Sequence, residues 1–228
     1  MNTRSTGWML LTAAIFFWTS WALMPGVGVT DAAEILRLVS AQREQVLASS
    51  ILQLASAALF ALAIPGLVLR LHAFKERWPL ALLAVGACGD AADAIYHQLA
   101  YEMTRPGVAQ AAMLPVMQRM QSVDLLYLLP LVLAFLLGCV GLAVASMRSG
   151  LVTRWNPLLY LFIPLIVLAG RLSGVTSRVI GLTCLGILSF SLAWIGAALA
   201  HPRDVPTNSQ PATPARRRTP SAAGTFHP

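Results

Sequence analysis

Six apolar stretches of roughly twenty residues run through this chain, and each is long enough to cross a hydrocarbon layer about 30 Å thick. Inside lipid every backbone N–H and C=O must find its partner within the protein, which leaves helices as the fold for such stretches. The predicted class is therefore all-α, a polytopic transmembrane helix bundle. Its spans fall at about 8–28, 44–69, 79–100, 122–147, 156–170 and 177–200, together one domain over residues 1–200. Composition agrees: 57% of the 228 residues are hydrophobic and 11% charged, whereas soluble domains carry about a quarter charged.

The connecting segments refine this picture. Trp8, Trp18 and Trp21 in span one suit headgroup anchoring. The small residues Ser20 and Ala22 are also compatible with signal-peptide cleavage, a reading that would leave five spans and a less balanced charge pattern. Asp31 followed by Glu34 marks a helix start, and Ile35, Leu38, Val39 and Val46 form one apolar face, so a short interfacial helix should precede span two. Pro65 is expected to break span two. The linker from Tyr101 to Gln121 is too polar to span but has helical apolar spacing at Met113, Met117 and Met120, which fits a second interfacial or re-entrant helix. Span four carries Pro130 and a close-packing pair, Gly138 and Gly141. Beyond His201 the Pro, Ser, Thr and Ala content cannot bury enough surface to fold, so residues 201–228 are expected to form a disordered cytoplasmic tail.

A net charge of +7 could suggest nucleic acid, but the basic residues sit singly between spans. Anionic lipid headgroups are the expected partner, contacted by Arg70, Lys75, Arg77, Arg148 and Arg154, and no nucleic acid is predicted. With both termini inside, the inner segments hold ten basic residues (Arg4, Arg70, Lys75, Arg77, Arg148, Arg154, Arg203 and Arg216 to Arg218). The outer ones hold six: Arg37, Arg43, Arg105, Arg119, Arg171 and Arg178. The asymmetry predicts cytoplasmic termini. Lys75 is the sole lysine, which reads as the codon bias of a GC-rich bacterial genome, so the compartment expected is the bacterial inner membrane. Cys88, Cys139 and Cys184 all lie inside spans and read as packing residues.

The unusual feature is GDAADAIYHQ, Gly89 to Gln98, in span three. At about 100° per residue Gly86, Asp90, Asp93, His97 and Tyr101 share one stripe. A carboxylate at mid-span costs roughly 2.5–3.5 kcal/mol, while each Leu, Ile or Val returns about 0.3–0.6. Two acids outweigh the six aliphatic residues of this span, so the stripe must face protein or water. Span four is the expected facing partner, through Gln121, Asp124 and Tyr127, with Glu102 leaving on the same side.

Three functions compete for this group. A structural or interaction role would have Asp90 protonated and bonded to a neighbouring backbone or hydroxyl group, with His97 paired to Asp93. A proton, ion or small-ligand path would use Asp90, Asp93, His97, Tyr101, Glu102, Asp124 and Tyr127, because ionisable groups facing a bundle interior commonly serve that end. Six spans without an internal repeat are few for a secondary transporter, and a homodimer would supply the missing half. A membrane-embedded metal-dependent enzyme would ligate a divalent metal with Asp93, His97 and Asp124. That DxxDxxxH pattern arises from helical spacing alone, and no HExxH, GxSxG, SxxK or glycine-rich phosphate loop accompanies it. No catalytic residue is assigned and no cofactor is otherwise called for, so the transport-like reading is favoured over catalysis.

The segment MRSGLVTRWNPLLYLFIPLIVLAG, Met147 to Gly170, resembles an arginine-serine-glycine turn and apolar span found in an uncharacterised group of bacterial multi-span proteins, domain of unknown function 4386. The first span, Asp31 at a helix head and the long second span fit the same layout, so the resemblance covers most of residues 7–200. Val152 and Thr153 stand where leucine and proline are expected, and Asn156 where a glycine is. The resemblance implies architecture and membrane location, with no reaction attached.

Overall fold

The structure is a computed structural model, and it describes residues 2–71 and 77–201, without the side chains of residues 124 and 125. The expected tail and Lys75 lie outside the described residues. The elements are α1 (Thr3–Leu23), α2 (Ala32–Ala41), α3 (Arg43–Arg70), α4 (Trp78–Met103), α5 (Gln110–Arg148), α6 (Trp155–Leu158), α7 (Phe162–Leu172) and α8 (Ser177–Ala200), with a 3₁₀ turn at Leu159–Leu161 joining α6 to α7. Six stretches are long and apolar enough to cross a membrane: α1, α3, α4, Leu126–Arg148 of α5, Trp155–Leu172 and α8. The chain is thus a multi-pass helical membrane protein.

Around the bundle the helices run α8, α1, α3, α4, α5 as an arc, and the fifth span, α6 to α7, packs on both α5 and α8, which touch each other only sparsely. Span one is flanked on both sides: Leu10, Ala13 and Ala14 are fully buried between α3 and α8. Small residues let backbones approach where no hydrophobic drive operates between apolar helices. A Cβ on Gly196 would lie 2.6 Å from Leu11 N, and one on Gly7 would collide with Ala200 N, so α1 and α8 cross backbone on backbone. Gly138 plays the same part between α5 and α4, 2.6 Å from Leu83 N, and Gly141 meets Pro79. The far half of the bundle is sealed by Leu83, Leu142, Leu192 and Ile195, each 0% exposed.

Several boundaries differ from expectation. Helix α1 begins earlier and ends at Leu23, and Met24 to Gly28 turn away as a loop. Helix α3 continues through Pro65 to Arg70; the missing N–H frees one carbonyl without ending a helix whose flanks are packed. The second interfacial helix is not separate, because α5 runs unbroken for 39 residues from Gln110, through Pro115, into the span. Pro115 sits in the exposed first turns of α5, where water can take the carbonyl it leaves free. Helix α2 is present as expected, with the Asp31 carboxylate accepting from Glu34 N at 2.8 Å. Its buried face is Ala32, Leu36 and Val39, packed on Val46, Ala100 and Met117.

Arg70, Arg77, Arg148 and Arg154 are all exposed at the end of the bundle that holds both described termini, opposite α2. Arg154 lies over the Trp155 ring at 5.8 Å.

Candidate functional site

The polar stripe of α4 turns inward, and its partner is α3. The buried face of α3 carries Ser49, Gln53 and Ser56 at helical spacing among alanines and Phe60. Ser49 Oγ donates to Ser20 O at 2.7 Å and Ser56 Oγ to Ala13 O at 3.1 Å, so two hydroxyls stitch α3 to α1. Gln53 points the other way. Its Nε2 donates to Asp93 Oδ2 at 2.7 Å, and its Oε1 lies 3.2 Å from His97 Nδ1. Asp93 Oδ2 is 3.7 Å from the same ring nitrogen. One amide, only 1% exposed, therefore holds the carboxylate and the imidazole in register. The contact fixes a proton on Nδ1 whenever the glutamine oxygen accepts from it.

Aromatic rings close the cluster. Trp21 stands edge-on to His97, centroids 5.9 Å apart at 84°, and Tyr96 packs on the other side at 5.9 Å. Trp21 was expected at the headgroups; it points inward instead, while Trp8 and Trp18 are 46% and 43% exposed on the periphery. The Trp21 indole N–H is buried without a hydrogen-bond partner among the described residues.

Two cavities meet at this cluster. One, of ≈440 Å³, lies beneath α2 and the Met24–Thr30 loop, with Asp93, Tyr96 and His97 on its floor. The other, of ≈320 Å³, lies deeper in the bundle, with Asp90, Asp93 and Gln53 set among Phe17, Phe135, Val132 and Leu188. Asp93 and Trp21 line both. Asp90 is 7% exposed, and among the described residues neither carboxyl oxygen has a partner within hydrogen-bond geometry. Ser56, whose hydroxyl donates to Ala13 O, faces the Asp90 carboxyl and keeps an acceptor lone pair for it, so the expected hydroxyl partner is adjacent but not in closed hydrogen-bond geometry.

Other predicted members are placed elsewhere. Tyr101 lies under the Arg43 guanidinium, 4.0 Å from its ring centroid, and Arg43 donates to Tyr101 O at 2.7 Å and Thr104 Oγ1 at 2.9 Å, a clamp between α3 and the end of α4. Glu102 is exposed. Tyr127 is 65% exposed and lines a shallow peripheral groove with Ile95, Leu99 and Arg119. Gln121 reaches the upper cavity, where its Nε2 donates to Thr30 O at 3.2 Å. The Asp124 side chain lies outside the described residues. Met117 is buried under α2, with the Tyr96 hydroxyl 3.8 Å from its sulfur.

Among the described residues no three His, Cys, Asp or Glu side chains come together as a metal-holding group. Asp93 and His97 supply two ligand atoms, and the nearest third polar group is an amide already bonded to both. Sequence reasoning missed Gln53 and Trp21. The signal for Gln53 was present: it is the lone amide between Val46 and Arg70 and shares a stripe with Ser49 and Ser56. No family model, curated protein or solved structure matches the chain.

Proposed function

We propose that this is a transport-like membrane protein handling a small ligand or proton at the Gln53–Asp93–His97 cluster. The single observation behind the reading is that Gln53 ties an acid and an imidazole together where two cavities meet. A purely structural polar pair contributes only about 0.6 kcal/mol in membranes and has no use for cavities on both sides. The side bearing α2 is the outer face of a bacterial inner membrane, both termini are cytoplasmic, and the exposed arginines at the termini end meet anionic headgroups. The resemblance to the domain of unknown function 4386 belongs to the same proposal and adds architecture only.

Proton binding can be read on Trp21, because an imidazolium edge-on to the indole quenches its emission. The groups facing His97 are Asp93 from its own helix, Gln53 from α3, and the Trp21 and Tyr96 rings. The emission difference between wild type and Trp21→Phe should change as the pH is lowered and His97 gains its proton. The titration should vanish in His97→Gln and move in Asp93→Asn. A difference that stays flat down to the acid limit of folding in wild type would defeat the proposal.

A further inference from the structure

The lower cavity contains a carboxyl group that the described residues leave without a closed hydrogen bond. Gln53 and Ser56 face Asp90, but neither of its oxygens has a described partner within hydrogen-bond geometry although the residue is 7% exposed, and the cavity around it is walled by Phe17, Val132, Phe135 and Leu188. A buried polar group without a partner is costly, by about 1–3 kcal/mol and more when charged, so the site favours any guest that can donate to those oxygens. The guest must also match apolar walls. One wall of the cavity reaches the periphery. Helix α5 touches α8 only sparsely and Ile163 of α7 completes the wall between them, while Val132 of α5 both lines the cavity and is 58% exposed on the periphery.

We infer that the Asp90 cavity binds an amphiphilic primary amine that arrives from the bilayer past Val132 of α5, its ammonium group on the Asp90 carboxylate and its chain along Val132 and Leu188. Two acceptor oxygens match a primary ammonium, which has three donors, better than a hydroxyl, which has one. A carboxylate guest would set like charge against Asp90 and Asp93. The Phe17 and Phe135 rings, 5.1 Å apart, offer faces that also favour a cation. This inference rests on the reading of the bundle as a small-ligand handler, but it concerns Asp90 rather than the Asp93–His97 pair.

The test uses the full chain in lipid nanodiscs and a nitroxide-labelled long-chain alkylamine, with the alcohol and carboxylate of the same length and label as comparisons. Quenching is read on the Trp21 component of emission, since Trp21 lines the same cavity. The amine should saturate quenching at a concentration at least about tenfold below either comparison, a difference of about 1.4 kcal/mol. Asp90→Asn should abolish that preference. This substitution keeps shape, and retention of the pH titration of Trp21 in Asp90→Asn would show that the bundle is folded and the Asp93–His97 proposal intact. Val132→Phe should slow amine association several-fold. Equal quenching by the three amphiphiles, or an undiminished amine preference in Asp90→Asn, would overturn the assignment. An unchanged association rate in Val132→Phe would overturn access past Val132.

Discussion

Replacing Gln53 by leucine removes the amide while nearly keeping volume, so the cavity cost of a truncation is avoided. Two groups then lose their partner: Asp93 Oδ2, bonded at 2.7 Å, and His97 Nδ1, at 3.2 Å. An orphaned buried group costs about 1–3 kcal/mol. The Asp93 and His97 side chains are 16% and 14% exposed, so partial solvation from the upper cavity places each near the low end. The expected loss is about 2–3 kcal/mol, well above the ~0.6 kcal/mol of an average interhelical polar pair. Unfolding in mixed micelles of mild detergent and dodecyl sulfate would measure it. A double-mutant cycle with His97→Leu should give a coupling of about 1 kcal/mol, because the two residues are in contact. A loss below about 0.5 kcal/mol with no coupling would show that Gln53 does not organise the cluster, and the reasoning would fail.

Reporter fusions after Gly150 and His201 should report cytoplasm and one at Gly107 the exterior; reversal at either end would refute the orientation. In α2, the hydrogen bond from Arg37 to Glu34, 2.6 Å long, holds the Glu34 carboxyl below its ordinary value. A depressed carboxyl stabilises above its unfolded pKa and loses that stabilisation as pH falls through the folded one. Hydrogen-exchange protection of α2, corrected for intrinsic rates, should therefore hold from about pH 7 to 5 and decline only below about pH 4, and loss of protection between pH 7 and 5 would contradict it. Protein purified without added metal should carry well under one equivalent of divalent ion; one equivalent that disappears in His97→Ala would restore the metalloenzyme reading.

Periodicity in the sequence was enough to find the spans, the Asp31 start of α2, and the inward stripe of Asp90, Asp93 and His97, because each follows from residues a few positions apart. What faces that stripe depends on which helix packs there. Asp124 and Tyr127 were expected opposite it on grounds of depth alone, yet α5 rotates so that Gly86 receives Phe135 and Tyr127 points outwards. The partner came from α3, where a single amide in an apolar span was overlooked. Trp21 misled for a related reason: a tryptophan near a span end suits headgroups, but the same ring can roof a buried imidazole. The continuity of α5 was hidden because Pro115 and the polar Gln121–Asp124 segment signal a break in apolar pattern, and neither ends a helix whose first turns are exposed to water.

His97 lies on the floor of the cavity at the α2 end, while the far half of the bundle is packed shut by Leu83, Leu142, Leu192 and Ile195. In a background carrying Cys88→Ala, Cys139→Ala and Cys184→Ala, the rate of modification of the His97→Cys variant by a small, charged, membrane-impermeant thiol reagent measures that directly. Added outside intact cells, the reagent should modify His97→Cys readily and leave Ala87→Cys, 3% exposed in the sealed core, unreacted. Modification only in inside-out vesicles, or equal inertness at both positions from the outer side, would contradict the account.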